Sequence, residues 1–324
     1  MRTTLAVATL AIAACGRHPI DAARPGPAPT PLLGGRLTIR PPTVAAVAPR
    51  GHSVMAAPAS AMEESRIVLV PGDGEYARFV LMATETFVTV AAPPPDGAAL
   101  AAYLPAGATQ GEVTLADGAV AIEFVGTAPA GDAPLLVYGA LVPMPDHTLI
   151  ELDYYVMPED ADDRAAWAAQ ARALTQTVRR GDRTLERAAR TVTFEGLTLD
   201  APADVVLTEQ PGPDFAVYKL RALGALAAPA AMAGVYLGGW PAYQHAQADV
   251  ADAAIAREAG TLLGEAVEWH RWRDGDVEVR EAILARGDHA AIHVFRIAPA
   301  ADPRAAALDA ALATLRSAPT STSR

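Results

Sequence analysis

The sequence predicts an α+β protein made of two tandem antiparallel-sheet domains, each closed by a C-terminal amphipathic helix. Three observations carry this. Residues 137–152 and 279–294 repeat at an offset of 142: Val137–Val142 falls on Val279–Leu284, Asp146-His147 on Asp288-His289, and Ile150 and Leu152 on Ile292 and Val294. Each copy is followed by a helical apolar stripe, Trp167, Ala171, Leu174 and Val178 in the first and Leu308, Ala311, Leu312 and Leu315 in the second. The short turns between strands permit only antiparallel neighbours. A chain of 324 residues accommodates about two domains at roughly 100–200 residues each.

Taken in order, residues 1–15 (MRTTLAVATLAIAAC) place Arg2 before an apolar run, Leu5 to Ala14, broken only by Thr9. The run has about half the ~20 residues a membrane-spanning helix requires and fits a signal-peptide core. It ends in Ile12-Ala13-Ala14-Cys15, which resembles the lipobox of bacterial lipoproteins. That resemblance implies acylation of Cys15, cleavage before it, and anchoring by several acyl chains, which hold a membrane stably where one does not. Gly16 in place of an aspartate leans the expectation toward the periplasmic face of the outer membrane rather than the inner membrane. Residues 16–35 contain five prolines and read as a tether. The first domain is expected over 36–187, the second over 188–318, and a disordered tail over 319–324.

Strands are expected at 66–70, 77–90, 119–125, 193–199, 214–220 and 232–238, a helix at 244–257, and a hairpin of 265–273 with 277–284 around Asp274-Gly275. The 93–117 region reads as irregular. In the first repeat Ile150, Leu152, Tyr154 and Val156 alternate with Glu151, Asp153 and Tyr155, so the aliphatic set faces the helix and the acids form a solvated face. The strand order of the second half, the Gly239-Trp240-Pro241 region after its third strand and the closing helix resemble the PsbP-like fold, shared by photosystem II extrinsic proteins and DcrB-type lipoproteins. The resemblance spans about 190–318. It implies accessory subunits, envelope lipoproteins and adaptors for secreted toxins rather than enzymes.

Composition narrows function by exclusion. The net charge of -11 argues against a phosphate backbone as partner. One cysteine precludes an intrachain disulfide and any multi-cysteine metal site. The six serines lie at 53–65 and 317–323, with no G-x-S-x-G elbow. There is no H-E-x-x-H, and His289 and His293, four apart on a strand, are too distant to share an ion. No cofactor and no metal are expected.

The aromatic group Trp240, Tyr243, His270 and Trp272 is the candidate partner-binding patch, since Trp, Tyr and Arg are enriched at binding hot spots. Trp269 is expected to pack in the core. Trp272, next to the Asp274-Gly275 turn, is expected to be exposed, with His270 on its side of the strand. The sequence reading is therefore a membrane-anchored, non-catalytic envelope lipoprotein with a protein partner, acting as an accessory or scaffold module. Its alternatives are an immunity or adaptor protein for a secreted toxin, and an enzyme with an unconventional site near His245 and His270.

Overall fold

A computed structural model describes residues 28–40, 46–47, 64–70, 79–90, 100, 103–128, 135–156, 164–212, 214–226, 228, 230–239, 241–287, 290–318. The lipobox with Cys15, Trp240 and the Asp288-His289 turn lie outside the described residues. Among the described residues 55% are in strands and 16% in helices, arranged in four sheets, so the fold is mainly β. This corrects the α+β expectation. The helices are short, and neither of the two longer ones, of 12 and 11 residues, ends its unit: a strand follows each. The chain divides into two compact units, one holding the described residues up to Thr184 with 225–226, the other holding 185–224 and the described residues from 228 onward.

The first unit begins within the proline-rich stretch, with β1 (Thr30–Leu32), a 3-10 turn (Leu33–Gly35) and β2 (Leu37–Ile39). Leu32, Leu33, Leu37 and Ile39 are buried, which fixes this hairpin to the unit. There follow β3 (Ala46–Val47), β4 (Glu64–Val70), β5 (Phe79–Thr89), β6 (Thr109–Thr114), β7 (Val120–Ala128), β8 (Leu135–Pro143) and β9 (Thr148–Val156). Helix α1 (Arg164–Thr175) and strand β10 (Arg179–Arg180) complete it. The main sheet runs β3-β4-β5-β9-β8-β7-β6, and β10 pairs with β2 in a smaller sheet. Ile150, Leu152 and Tyr154 are fully buried, as a half-buried strand of period two requires, and Trp167, Ala171 and Leu174 of α1 are buried as a stripe. Arg36 is fully buried as well. Its Nε lies 2.9 Å from Glu85 and its Nη1 2.8 Å from Asp146, clamping the hairpin onto β5 and the β8–β9 turn.

The second unit repeats this plan. It contains the hairpin β11 (Arg190–Phe194) and β12 (Leu197–Ala201), then β13 (Val205–Pro211), β14 (Phe215–Ala222) and, past the two-residue β15 (Gly224–Ala225) whose second residue belongs to the first unit, β16 (Ala231–Gly238). After the short helix α2 (Gln244–Gln247) and a 3-10 turn (Asp252–Ala254) come β17 (Ala256–Leu262), β18 (Glu265–Asp274), β19 (Val277–Ala285) and β20 (Ala291–Pro299). Helix α3 (Pro303–Ala313) is capped by the Asp302 carboxylate, which accepts from the Arg304 N–H, and β21 (Arg316–Ser317) follows. The main sheet runs β13-β14-β16-β20-β19-β18-β17, and β21 pairs with β12. In each unit a hairpin, a three-strand meander, a covering crossover, a four-strand meander, a helix and a short strand succeed one another. The offset of 142 superposes β8 on β19 residue for residue.

Three further expectations are corrected. Residues 193–199 are not one strand, because Glu195 and Gly196 both take positive φ and turn the chain into the β11–β12 hairpin. The helix expected at 244–257 is four residues long, and from Ala256 the chain is the edge strand β17. The region read as irregular contains β6, also an edge strand.

Candidate functional site

In the second unit one face of the main sheet carries the core. Tyr218, Leu220, Val235, Trp269, Ala282, Leu284 and Val294 pack there with Leu308, Ala311 and Leu312 of α3. Strand parity sends His270, Trp272, Glu281 and His293 to the opposite face. Residues 241–255, the crossover between β16 and β17, lie over that face: Val250 and Ile255 pack with Trp272, Val279 and Ile297.

Glu281 is the centre of the arrangement. Its side chain is fully buried, and its carboxylate accepts five N–H groups. Oε1 takes Trp272 Nε1 at 3.0 Å, His245 Nδ1 at 2.9 Å and the His245 backbone N–H at 3.1 Å. Oε2 takes the Gln244 backbone N–H at 2.7 Å and His293 Nε2 at 2.9 Å. Burial raises the pKa of this group, but the hydrogen bonds from His293, Gln244, His245 and Trp272 outweigh it and hold the carboxyl down at about 2. Glu281 is thus an anion accepting only, which fixes the proton of His245 on Nδ1 and that of His293 on Nε2.

Above it the rings stack. Tyr243 lies 4.3 Å from His270 and 4.9 Å from His245, centroid to centroid, and those two imidazoles are 4.9 Å apart. Burial pushes the Tyr243 hydroxyl pKa up. His270 Nε2 is bonded to Glu268 Oε1 at 2.8 Å, while His270 Nδ1 is buried with no hydrogen-bond partner. Arg257, paired with Asp252, lies 3.5 Å from Glu268.

Tyr243, His270 and Trp272 of the expected patch therefore converge, together with His245. Trp272 is not exposed. It is 6% accessible, because the crossover folds over it, so the expected exposed aromatic patch is instead a covered network. Trp269 packs in the core at 8%, with the Arg280 guanidinium 3.9 Å above its ring. The residues missed in the sequence are Glu281 and His293. The hairpin register could have found the first: counting back from Asp274-Gly275 sets Glu281 opposite His270.

The first unit shows what the fold alone needs at this place. Gly139 stands where Glu281 does. The Phe124 ring covers it, and an added Cβ would lie 2.0 Å from Phe124 Cζ. Phe124 pairs with Gly139 as His270 pairs with Glu281. Leu100 and Leu104 of the crossover pack on Phe124, Ile122, Val137 and Leu141, forming an apolar cover. Elsewhere in that unit Glu123 borders a groove of about 250 Å³ and is satisfied by Tyr138 Oη at 2.5 Å and by Arg172.

Among the described residues no three His, Cys, Asp or Glu side chains are grouped to hold a metal ion, and no helix is long and apolar enough to cross a membrane. No family model matches the chain, and no curated protein matches it. Among solved structures, the crystal structure of MucB in complex with MucA(peri) is similar at 13% identity and a TM-score of 0.18, over 87% of this chain and 88% of that one. The Pseudomonas aeruginosa MucA/MucB complex gives the same values. Both lie below the level of a shared fold, so the functional reading rests on this chain's own residues.

Proposed function

We propose that the chain is a membrane-tethered, non-catalytic binding module of the cell envelope, and that the crossover segment 241–255 of the second unit is its recognition element. One observation carries the reading. The same fold position is closed by Leu100, Leu104 and Phe124 in the first unit and by a buried ionic and aromatic network in the second. Taking a carboxylate out of water costs several kcal/mol before its hydrogen bonds offset it, and apolar residues of similar volume do the same work without that cost. Stability alone therefore does not account for the network, whereas holding a polar, accessible segment in one conformation does. Two arguments weigh against turnover. Glu281 at about 2 is too weak a base for proton transfer near neutrality, and all its lone pairs are engaged. The tether is supported by the Ile12–Cys15 lipobox.

The test places a photo-crosslinking residue at Ala246, which is exposed on the segment, and at exposed Ala300 as a control, in cells carrying the full chain. Ala246 is expected to give one discrete higher-mass adduct that Ala300 does not. Equal or absent adducts at both positions overturn the recognition reading. The anchor is checked separately: Cys15→Ser should move the protein from the detergent phase to the aqueous phase, and unchanged partitioning would rule lipidation out.

A further inference from the structure

We infer that His245 and His270 form a two-imidazole site for a divalent transition-metal ion of the copper or zinc type. The inference rests on reading segment 241–255 as functional. Each imidazole has one nitrogen committed to a carboxylate: His245 Nδ1 to Glu281 at 2.9 Å and His270 Nε2 to Glu268 at 2.8 Å. In its neutral form each ring then presents a lone pair on its other nitrogen, His245 Nε2 and His270 Nδ1. Neither of these has a protein partner among the described residues, and His270 Nδ1 is buried. A buried acceptor left unbonded is uncommon and calls for a ligand to complete it.

Metal-ligating histidines characteristically donate their second N–H to a carboxylate, which sets the tautomer and raises the basicity of the ligating nitrogen. Both rings carry this backing. Their ring centroids stand 4.9 Å apart, each ring stacks on Tyr243, and the His245 side chain is 13% accessible while His270 Nδ1 is buried. A histidine kept merely to fill space has no need of such an arrangement, and Phe124 fills the equivalent place in the first unit. Two neutral imidazoles select copper and zinc over magnesium and calcium, which require oxygen donors. No third side-chain ligand joins among the described residues, so the remaining positions on a bound ion would fall to solvent.

The experiment titrates the full chain in detergent with Zn²⁺ alone and with Cu²⁺ alone, following binding calorimetrically. One ion per chain is expected. His270→Phe, which installs the residue of the first unit, should weaken binding at least ~10-fold. Glu268→Ala, at a mostly exposed position, should weaken it by about 10–100-fold through loss of the carboxylate backing. His147→Gln, in the first unit, should bind as the wild type does. Absence of binding, or equal affinity in His270→Phe and the wild type, overturns the site. The Ala246 crosslink, repeated with a chelator, separates the two readings: an adduct without metal binding removes only the metal site, and metal binding without an adduct removes only the recognition element.

Discussion

Glu281→Ala is expected to lower the stability of the second unit by about 3–5 kcal/mol, the range seen when one member of a buried charged network is removed. Three side-chain donors and two backbone N–H groups lose their acceptor at once, and each buried donor left unpaired costs about 1–3 kcal/mol. The sum is capped by the free energy of peeling segment 241–255 from the sheet, after which water satisfies those groups. Urea denaturation should show the loss. Hydrogen exchange at the Gln244 and His245 amides should accelerate more than at Val294 in the core. Glu281→Gln keeps the volume and one acceptor, and should fall between wild type and Ala. The same residue sets an acid limit. Its carboxyl titrates near 2 in the folded protein against 4.5 ordinarily, so the unfolded chain takes up the proton first as pH drops. The stabilisation is complete above pH 4.5 and is lost as pH falls toward 2. Its size is roughly 3 kcal/mol. The difference between wild-type and Glu281→Gln stability should therefore shrink between about pH 5 and pH 2. A constant difference over that range would show that the carboxylate charge is not what holds the segment.

The central strands were legible because burial on one face imposes alternation. Ile150, Leu152 and Tyr154 in β9 show it, and so does the hairpin of β18 and β19. The edge strands β6 and β17 are not legible as strands in the sequence. Each exposes both faces over most of its length and reads as polar: β17 is AREAGTL and only Leu262 is buried, and in β6 only Val113 is. The alanines of 244–257 favour a helix locally. There the Glu281 carboxylate, far away in sequence, accepts the amides of Gln244 and His245, and Val250 and Ile255 pack onto Trp272. Tertiary contacts thus decide the conformation of the segment. The fold class failed for a related reason. The apolar stripes after each repeat mark helices of only 12 and 11 residues and the helix expected at 244–257 shrinks to four, so the strands dominate. Nearness to a turn does not set the exposure of Trp272, because it says nothing of the crossover residues Val250 and Ile255 that pack on it.

Trp272→Ala and Trp269→Ala should therefore both destabilise the second unit, each by about 3–5 kcal/mol, since each deletes a large buried side chain. Their mechanisms differ and can be separated. Trp269 loses contacts with the core and its stacking with Arg280, so Trp269→Phe should recover most of the packing. Trp272→Phe keeps the ring among Ile255, Val279 and Ile297 but removes the indole N–H that Glu281 accepts. That loss is about 1 kcal/mol, because the carboxylate retains four other donors and is not left bare. Thermal melts of the four variants give these differences without a partner in hand. A Trp272→Ala change within about 0.5 kcal/mol of wild type would mean that the ring is solvent-facing and free to serve as a contact residue. With the ring buried, weakened crosslinking from Ala246 in Trp272→Ala reports a loosened segment 241–255, and the Phe variant, which leaves the segment seated, should crosslink as the wild type does.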